Sequence, residues 1–340
     1  MTTPRLDLTR AQILAFRRAV GALDQRLPAG PESLRRAAWA GLTDSMPRAA
    51  LLSIHARVAG TGGSAWEDPS LVQLWGPRFS AYVVAAPDAA VFSLGRLPVD
   101  PAGLRRAEET ANRLDAYLAG RRMAYGEAGH GMGVQPNSLR YAAPTGRVLM
   151  RWDGARRPVV LTVPRPQMDP AEARRELARR HLHVFGPSTP EAFAGWAGIK
   201  AARGPSTFDA LAGELAPVRT PVGDAWILAE DEAAFRAPAG PPADARLLPS
   251  GDTYYLLQGT DRALLVPEAD RRGALWTSRV WPGAVLVGGE VVGTWRRAEA
   301  ELTIEPWRPL TPAERDAVQA EAESLPLPGI TAPIRVRWTG

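Results

Sequence analysis

The chain has 340 residues, of which 45% are hydrophobic and 23% charged, and this composition excludes a wholly disordered protein. The formal net charge is only +5, yet Lys200 is the sole lysine among 41 basic residues, so nearly all of them are arginine. A GC-rich coding sequence favours arginine, but arginine is also suited to bidentate contacts with phosphate, so the positions of the arginines matter.

Several absent sequence features limit the possible functions. Cysteine is absent, which excludes disulfides, thiolate metal sites and cysteine nucleophiles. The sequence contains no membrane-spanning apolar run and no signal peptide, and it lacks metal-ligand spacing and phosphate-binding glycine motifs. We therefore expect a cytoplasmic protein that needs neither a metal nor another cofactor and has no membrane partner.

The N-terminal region alternates helices with one strand. Apolar spacing predicts helices over Leu8 to Leu27, Glu32 to Ala40 and Ala49 to Val58, and a strand over Tyr82 to Ala86. The segment from Gly41 to Pro47 interrupts this helical pattern. We assign residues 1–98 to an N-terminal region similar to a winged helix.

Residues 99–168 have the pattern of a winged helix, in which three helices precede a two-stranded hairpin called the wing. Asp153-Gly154 between alternating apolar residues is a strong hairpin signal. The predicted elements are helices over Pro101 to Gly120, Tyr125 to Met132 and Pro136 to Ala143, followed by strands over Arg147 to Trp152 and Pro158 to Val163.

The same order recurs in residues 169–236, and residues 244–340 form a third part rich in β-strands. The predicted second winged helix has helices over Ala171 to Phe185, Thr189 to Trp196 and Ser206 to Leu215, and a hairpin over Val218 to Leu228. The predicted C-terminal strands cover Tyr254 to Leu257, Ala263 to Val266, Val285 to Val287, Val291 to Trp295, Leu302 to Glu305 and Ile334 to Trp338, with a helix over Thr311 to Glu323. The fold class is therefore α+β, with tandem winged-helix motifs followed by a C-terminal β-rich domain.

Basic residues concentrate on the predicted recognition helix and wing of residues 99–168. Between positions 140 and 157 there are five arginines and one acidic residue. Such clusters provide phosphate contacts, although a solvated arginine-rich hairpin is the alternative. The predicted DNA contacts are Asn137, Ser138, Arg140, Arg147, Arg151, Arg156 and Arg157.

Three sequence stretches resemble the winged-helix DNA glycosylases of the AlkZ/YcaQ type, and the likeness covers nearly the whole chain. They run from Glu176 to Gly198, from Leu247 to Pro267 and from Val285 to Arg297. The resemblance implies excision of bulky alkylated purines and unhooking of interstrand crosslinks. It also implies a protein that clasps double-stranded DNA as a monomer and so associates with the nucleoid.

The resemblance also points to a catalytic segment. The family signature, Gln-x-Gln or Gln-x-Asp after a Gly-Leu entry, falls on Thr43, Asp44 and Ser45, so both signature positions differ here. Asp44 is displaced by one position, which in an extended segment turns it to the other face. Thr43 and Ser45 are predicted to orient water and Asp44 to stabilise charge or act as a base, or else to cap a turn.

Three further residues are candidates for the same cleft. His55 lies ten positions beyond Ser45 in the following helix, where it either approaches the cleft or packs on a helix face. Arg78 and Tyr82 lie at the start of the strand that resembles the family's Arg-Gly-Thr-Leu-His stretch. They are predicted to line the cleft, a buried structural arginine being the alternative for Arg78.

The leading hypothesis is a monofunctional DNA glycosylase that uses water as its nucleophile. The altered Thr-Asp-Ser segment favours an alternative, a winged-helix protein that binds DNA without catalysis, as a regulator or lesion sensor. A structural protein without affinity for DNA is a third possibility. Base release and a salt titration of duplex binding separate the three.

Overall fold

The computed structural model describes residues 6–46, 48–152, 158–238 and 240–339. The α-helices are α1 (Arg10–Val20), α2 (Pro31–Ala37), α3 (Ala49–Arg57), α4 (Ala89–Leu94), α5 (Pro101–Leu118), α6 (Tyr125–Gly131), α7 (Pro170–Phe185), α8 (Pro190–Ala197), α9 (Arg203–Asp209), α10 (Glu232–Arg236), α11 (Asp261–Leu265), α12 (Ala269–Leu275) and α13 (Pro312–Glu323). Short 3-10 helices cover Ala65–Glu67, Pro77–Phe79, Ala86–Asp88, Pro136–Thr145, Ala212–Glu214, Ala229–Asp231 and Thr253–Tyr255.

The strands form three sheets. They are β1 (Leu6–Asp7), β2 (Leu42–Thr43), β3 (Leu71–Trp75), β4 (Ala81–Ala85), β5 (Met123–Ala124), β6 (Val148–Arg151), β7 (Val159–Thr162), β8 (Leu215–Thr220), β9 (Gly223–Leu228), β10 (Ala245–Leu248), β11 (Gly283–Val287), β12 (Glu290–Ala298), β13 (Glu301–Pro306) and β14 (Arg335–Trp338). The sheet orders are β2-β4-β3-β6-β7-β5, β1-β8-β9 and β10-β11-β12-β13-β14. Helices and sheets are mixed along the chain, which confirms the predicted α+β class.

The six-stranded sheet joins the N-terminal region to the first predicted winged helix. Gln73 of β3 pairs with Met150 of β6 in antiparallel register, so the wing extends the N-terminal sheet. The predicted boundary at residues 98 and 99 therefore separates strands of one sheet, and the division into domains stays a prediction.

The segment from α5 to β7 has the element order of the predicted winged helix. The Asp100 side chain accepts from Gly103 N and Pro101 follows it, a favourable start for α5. The third helix is a 3-10 helix over Pro136–Thr145 that contains Pro144, which has no N–H to donate. Leu114 and Leu139 are fully buried where these helices meet the wing. The predicted turn at Asp153-Gly154 lies outside the described residues.

The chain from α7 to β9 has the element order of the predicted second winged helix, with helices α7, α8 and α9 before the hairpin of β8 and β9. Thr189 caps α8 by accepting from Ala192 N. Helix α9 begins at Arg203, three residues before the predicted start, because Pro205 is tolerated in a first turn that needs no backbone donor. The N-terminal strand β1 adds to this hairpin in parallel with β8.

In the C-terminal part, four of the predicted strands are confirmed and two are wrong. β11 to β14 form a sheet with β10, and Gly288-Gly289 turns the chain between β11 and β12. The predicted strands at 254–257 and 263–266 are wrong, because the chain forms the 3-10 helix Thr253–Tyr255 and helix α11 there. Short apolar runs do not distinguish strand from helix, and the Asp252 side chain caps the first of these turns.

Candidate active site

A cavity of about 410 Å³ lies where the N-terminal region, the predicted second winged helix and the C-terminal part meet. We call it the cleft. Four of the predicted site residues line it, namely Thr43, Ser45, Arg78 and Tyr82. The other lining residues are Met46, Pro77, Ser80, Trp196, Ser250, Gly251, Leu256, Thr277, Ser278, Arg279, Val280 and Trp281.

Thr43 ties the N-terminal wall of the cleft to the C-terminal wall. It ends β2 opposite Tyr82 of β4 and is nearly buried. Its hydroxyl donates to the carbonyl oxygen of Gly251 at 2.7 Å, across 208 positions of the chain. Because the hydroxyl proton is used in this bond, the Thr43 oxygen can only accept a further hydrogen bond, for example from water.

Asp44 faces away from the cleft, since side chains alternate along an extended segment. Its Oδ1 accepts from Ala50 N in the first turn of α3 at 3.1 Å, and its Oδ2 accepts from Gln73 Nε2 at 2.8 Å. Asp44 is 1% exposed, and this burial raises the pKa of its carboxyl to about 7 despite these donors and the nearby Arg48. The geometry therefore makes Asp44 a capping and bridging residue and gives it no direct access to the cleft.

Ser45 and Arg78 are the exposed polar groups of the predicted set at the cleft. Arg78 sits in a tight turn with φ 55°, and the next residue, Phe79, also has a positive φ of 56°. Gly198 packs against this turn so closely that a Cβ there would lie 2.8 Å from the Arg78 backbone. The packing fixes a strained backbone in place and presents the Arg78 guanidinium to the cleft.

The wall and floor of the cleft set its chemistry. Tyr82 is 2% exposed, and burial strongly raises the pKa of its hydroxyl, so it stays neutral on the floor. Arg279 is exposed and adds a second cation to Arg78. No carboxylate is among the described residues that line the cleft. The cavity therefore favours anions and offers neutral hydroxyls as its polar groups.

The structure places His55 on a packed helix face, the second of its two predicted alternatives, and not at the cleft. Its ring lies 3.0 Å from Ser324 Oγ and 3.3 Å from Arg26 Nη2, on the side of α3 that packs against α13. Burial, with a smaller effect from Arg26, lowers the pKa of His55 to about 4. His55 is a neutral packing residue at pH 7.

Some of the predicted DNA-contacting arginines form ion pairs with acidic residues that the charge count over residues 140–157 does not include. Arg147 bonds to Asn112 and forms an ion pair with Asp115 at 3.3 Å. Arg151 forms an ion pair with Glu67 at 2.8 Å. Both acids come from elements outside residues 140–157, so tertiary packing neutralises charge that is locally unbalanced.

The remaining predicted contacts differ in accessibility. Asn137 is exposed and Ser138 is half-buried on the 3-10 helix Pro136–Thr145. Arg140 is half-buried, with its guanidinium 5.8 Å from the Phe79 ring and 5.9 Å from the Tyr141 ring. Arg156 and Arg157 lie outside the described residues.

Sequence reasoning missed two contributors to this region. Gln73 is a buried polar residue in the otherwise apolar strand β3, and that contrast was the available signal. Its Oε1 accepts from Trp152 N at 2.6 Å, so it links Asp44 to the end of the wing strand β6. The second contributor is the loop 277–281, which the sequence left without any predicted role.

Among the described residues, no helix is long and apolar enough to cross a membrane. The same residues contain no cluster of three or more histidine and acidic side chains suited to hold a metal.

Comparisons with known proteins agree with one another. The interstrand DNA cross-link repair glycosylase of Streptomyces sahachiroi is 32% identical over 161 residues, which cover 45% of this chain and 42% of that protein. The match thus spans less than half the length of that curated relative. The solved structure of the Streptomyces sahachiroi DNA glycosylase AlkZ has a similar fold, with a TM-score of 0.79 at 19% identity over 98% of this chain and 100% of that one. A family model described as DNA glycosylase AlkZ-like matches residues 36–326. Because that match covers most of the chain, the protein belongs to the AlkZ-like DNA glycosylase family.

Proposed function

We propose that this protein is a monofunctional DNA glycosylase that hydrolyses the N-glycosidic bond of bulky alkylated or crosslinked purines. It acts as a monomer on double-stranded DNA, with water as the nucleophile and without a metal or other cofactor. It works in the cytoplasm, on the nucleoid. The observation that carries the proposal is that Thr43 and Ser45, at the family's signature positions, line one cation-walled cleft.

The chemistry suits a cleft without a carboxylate when the leaving group is already activated. Rupture of the N-glycosidic bond develops oxocarbenium character on the sugar. A purine alkylated on its ring nitrogen is cationic and departs as a neutral base, so it needs no general acid. The remaining tasks are to hold a water molecule and to stabilise charge with oriented dipoles.

Each residue then has a separate task. The exposed Ser45 hydroxyl donates to or accepts from the attacking water, and the Thr43 oxygen accepts from it. Arg78 and Arg279 hold the phosphates that flank the lesion. Asp44 is a positioning residue, because its bonds to Ala50 and Gln73 hold the segment that carries both hydroxyls.

Backbone binding away from the cleft is assigned to the first winged helix. Asn137, Ser138 and Arg140 contact the duplex from the 3-10 helix, and Arg147 and Arg151 from the wing. The Arg151–Glu67 pair is about half exposed on both sides, so exchanging the carboxylate for a DNA phosphate costs little. Arg156 and Arg157, outside the described residues, extend the same basic wing in sequence.

A DNA-binding protein without catalysis is the second candidate, and one observation favours it. Asp44, the acid nearest to the signature positions, is turned into the interior and is committed to Ala50 and Gln73. If hydroxyl groups alone do not activate water, the cleft recognises a lesion without removing it.

Base release from duplexes that carry N-alkylpurines tests the proposal. We expect the wild type to release the base under single-turnover conditions. Ser45→Ala should lower the rate by about 10²-fold, as expected for loss of one oriented hydrogen bond in a transition state, with unchanged affinity for DNA. Ser278→Ala is the matched control, because it removes a hydroxyl from the opposite wall of the same cleft and should release base at the wild-type rate.

The outcomes separate the hypotheses. Duplex binding without release of any of several N-alkylpurines would support the non-catalytic alternative. Failure to bind duplex even at low salt would exclude both DNA hypotheses, because phosphate contacts are strongest there. Equal rates for wild type and Ser45→Ala would remove Ser45 from the mechanism.

A further inference from the structure

A second cavity, of about 240 Å³, adjoins the cleft on the far side of the turn that carries Arg78. Phe79, the residue after Arg78, lines it, and so does Gly198, which packs against the Arg78 backbone. The other lining residues come from the loop 96–100, helix α5, the 3-10 helix Pro136–Thr145, helix α7, the loop 198–200 and the start of α9. Nothing in the proposed reaction uses this cavity.

The charge around this cavity is one-sided. The cationic side chains that line it are Arg96, Arg106, Arg174, Lys200 and Arg203, and Asp100 is the one carboxylate among the described lining residues. Asp100 is bound to Lys200 at 3.0 Å. The four arginines form no ion pair among the described residues, so the cavity carries a clear excess of positive charge.

Two of these arginines are buried, and buried charges are normally paired. Arg96 is 4% exposed and donates to the carbonyl oxygens of Ala197 and Trp75. Arg174 is 8% exposed and donates to those of Gly95 and Leu97. In each guanidinium, one terminal nitrogen has no acceptor among the described residues.

Those two nitrogens, Arg96 Nη2 and Arg174 Nη1, differ from the other unpartnered guanidinium nitrogens of the described residues. Arg17 Nη1 and Arg140 Nε are sealed inside the protein without a partner. Arg96 and Arg174 line an open cavity, and their unpartnered nitrogens are not among the sealed atoms. Both nitrogens are therefore donors that remain for a ligand of the cavity.

The electrostatics of the two arginines agree with this geometry. Burial lowers the pKa of Arg96 to about 10, so it remains cationic at pH 7. Burial, followed by the nearby Arg203, lowers the pKa of Arg174. An anion bound between Arg174 and Arg203 would remove this repulsion.

We propose that this cavity is a phosphate-binding site. A tetrahedral dianion or diester fits its volume and satisfies several guanidinium donors at once. Phe79 and Tyr141, whose rings meet at 5.3 Å, close one side with apolar surface and lower the local dielectric. The phosphate comes either from the DNA strand that enters the cleft, which rests on the proposed function, or from a free phosphate compound.

Val99 offers a sharp test, because it lines the cavity and is 43% exposed, so substitutions there leave the core intact. Val99→Glu places a carboxylate at the site, and Val99→Gln is the neutral control of the same size. In the DNA arm, affinity for an unmodified duplex is measured by fluorescence anisotropy at several salt concentrations. We expect Val99→Glu to weaken binding about tenfold and to reduce the salt slope by about 0.9, one phosphate contact.

The second arm omits DNA and uses inorganic phosphate as its probe. Titration calorimetry and the thermal midpoint are compared in phosphate and in chloride at equal ionic strength. Phosphate should bind and stabilise the wild type and Val99→Gln, and Val99→Glu should lose both effects. Arg203→Gln removes an arginine that has no ion pair among the described residues. It should weaken duplex binding if the DNA arm responds to Val99→Glu, and phosphate binding if the phosphate arm responds.

The outcomes are distinguishable. A response to Val99→Glu in the DNA arm identifies a backbone phosphate, and a response only in the phosphate arm identifies a free phosphate compound. If the wild type binds no duplex but phosphate binding depends on Val99 as described, the proposed function fails and the site stands. If Val99→Glu matches Val99→Gln in both arms, the phosphate site is overturned, whether or not the protein binds DNA.

Discussion

The side-chain amide of Gln73 donates to the carboxylate of Asp44 at 2.8 Å in the interior of the protein. Through this bond the signature segment is attached to strand β3, and Gln73 in turn accepts from the backbone of Trp152 at the end of β6. The acid of the signature segment is therefore part of a link between the cleft and the wing.

Exchanging the amide and the carboxylate between positions 73 and 44 tests which side chain donates and which accepts in this bond. At pH 8, Asp44→Asn turns an amide donor toward the donor of Gln73 and should lower the free energy of unfolding by about 1–3 kcal/mol. Gln73→Glu alone brings two carboxylates together and should cost more. The double variant restores one donor and one acceptor, so denaturant unfolding should show it to be more stable than Gln73→Glu. Additive single costs would contradict the direct bond.

The buried His55 should make stability depend on pH. Its pKa is lowered to about 4 in the folded protein, against about 6.5 when unfolded. Between these values the unfolded chain binds the proton that the folded protein excludes, so the stability from His55 is present above pH 6.5 and is lost as pH falls to 4. The advantage of wild type over His55→Gln, measured by urea unfolding, should shrink over that window.

The exposed His130 provides the control for this experiment. His130→Gln should change the free energy of unfolding at pH 8 by less than about 0.5 kcal/mol, as expected for a surface substitution. His55→Gln should also retain the wild-type rate of base release, since His55 does not line the cleft. A parallel loss of base release with intact folding would return His55 to the active site.

A buried ion pair joins helix α3 to the C-terminal part directly behind the cleft. Arg57 and Asp252 form two hydrogen bonds of 2.7 Å, and both side chains are almost completely inaccessible. Asp252→Asn leaves a buried guanidinium without its charge partner and should lower the free energy of unfolding by about 3–5 kcal/mol. The paired replacement Arg57→Met with Asp252→Leu should cost less than the single change. Glu268→Gln, which breaks the exposed pair with Arg271, should change stability by less than about 1 kcal/mol.

Releasing a paired arginine of the wing should strengthen DNA binding. Glu67→Gln removes the ion-pair partner of Arg151 while keeping the size of the side chain. We expect a few-fold tighter binding at low salt and a salt slope steeper by about 0.9, as for one added phosphate contact. Glu301→Gln, which frees Arg337 on the C-terminal sheet, is the control and should bind DNA like wild type. Unchanged affinity of Glu67→Gln would remove Arg151 from the DNA surface.

The sequence by itself determined the features that depend only on residues close together along the chain. Thr9 and Thr311 begin their helices with reciprocal capping bonds, and Gly288-Gly289 forms the turn between β11 and β12. The alternation of an extended segment also placed Asp44 opposite to Thr43 and Ser45. These outcomes were predictable because backbone geometry and side-chain period act over a few residues.

Only the tertiary structure decided which distant groups meet. Thr43 contacts Gly251, Arg57 pairs with Asp252 and Arg151 pairs with Glu67, each across 84 or more positions. Charge counted along a sequence window could not include Glu67 or Asp115, so the wing was predicted to be more basic than it is. The unpaired positive charge around Arg96 and Arg174 was equally invisible, because it arises from helices that become neighbours only when the modules pack.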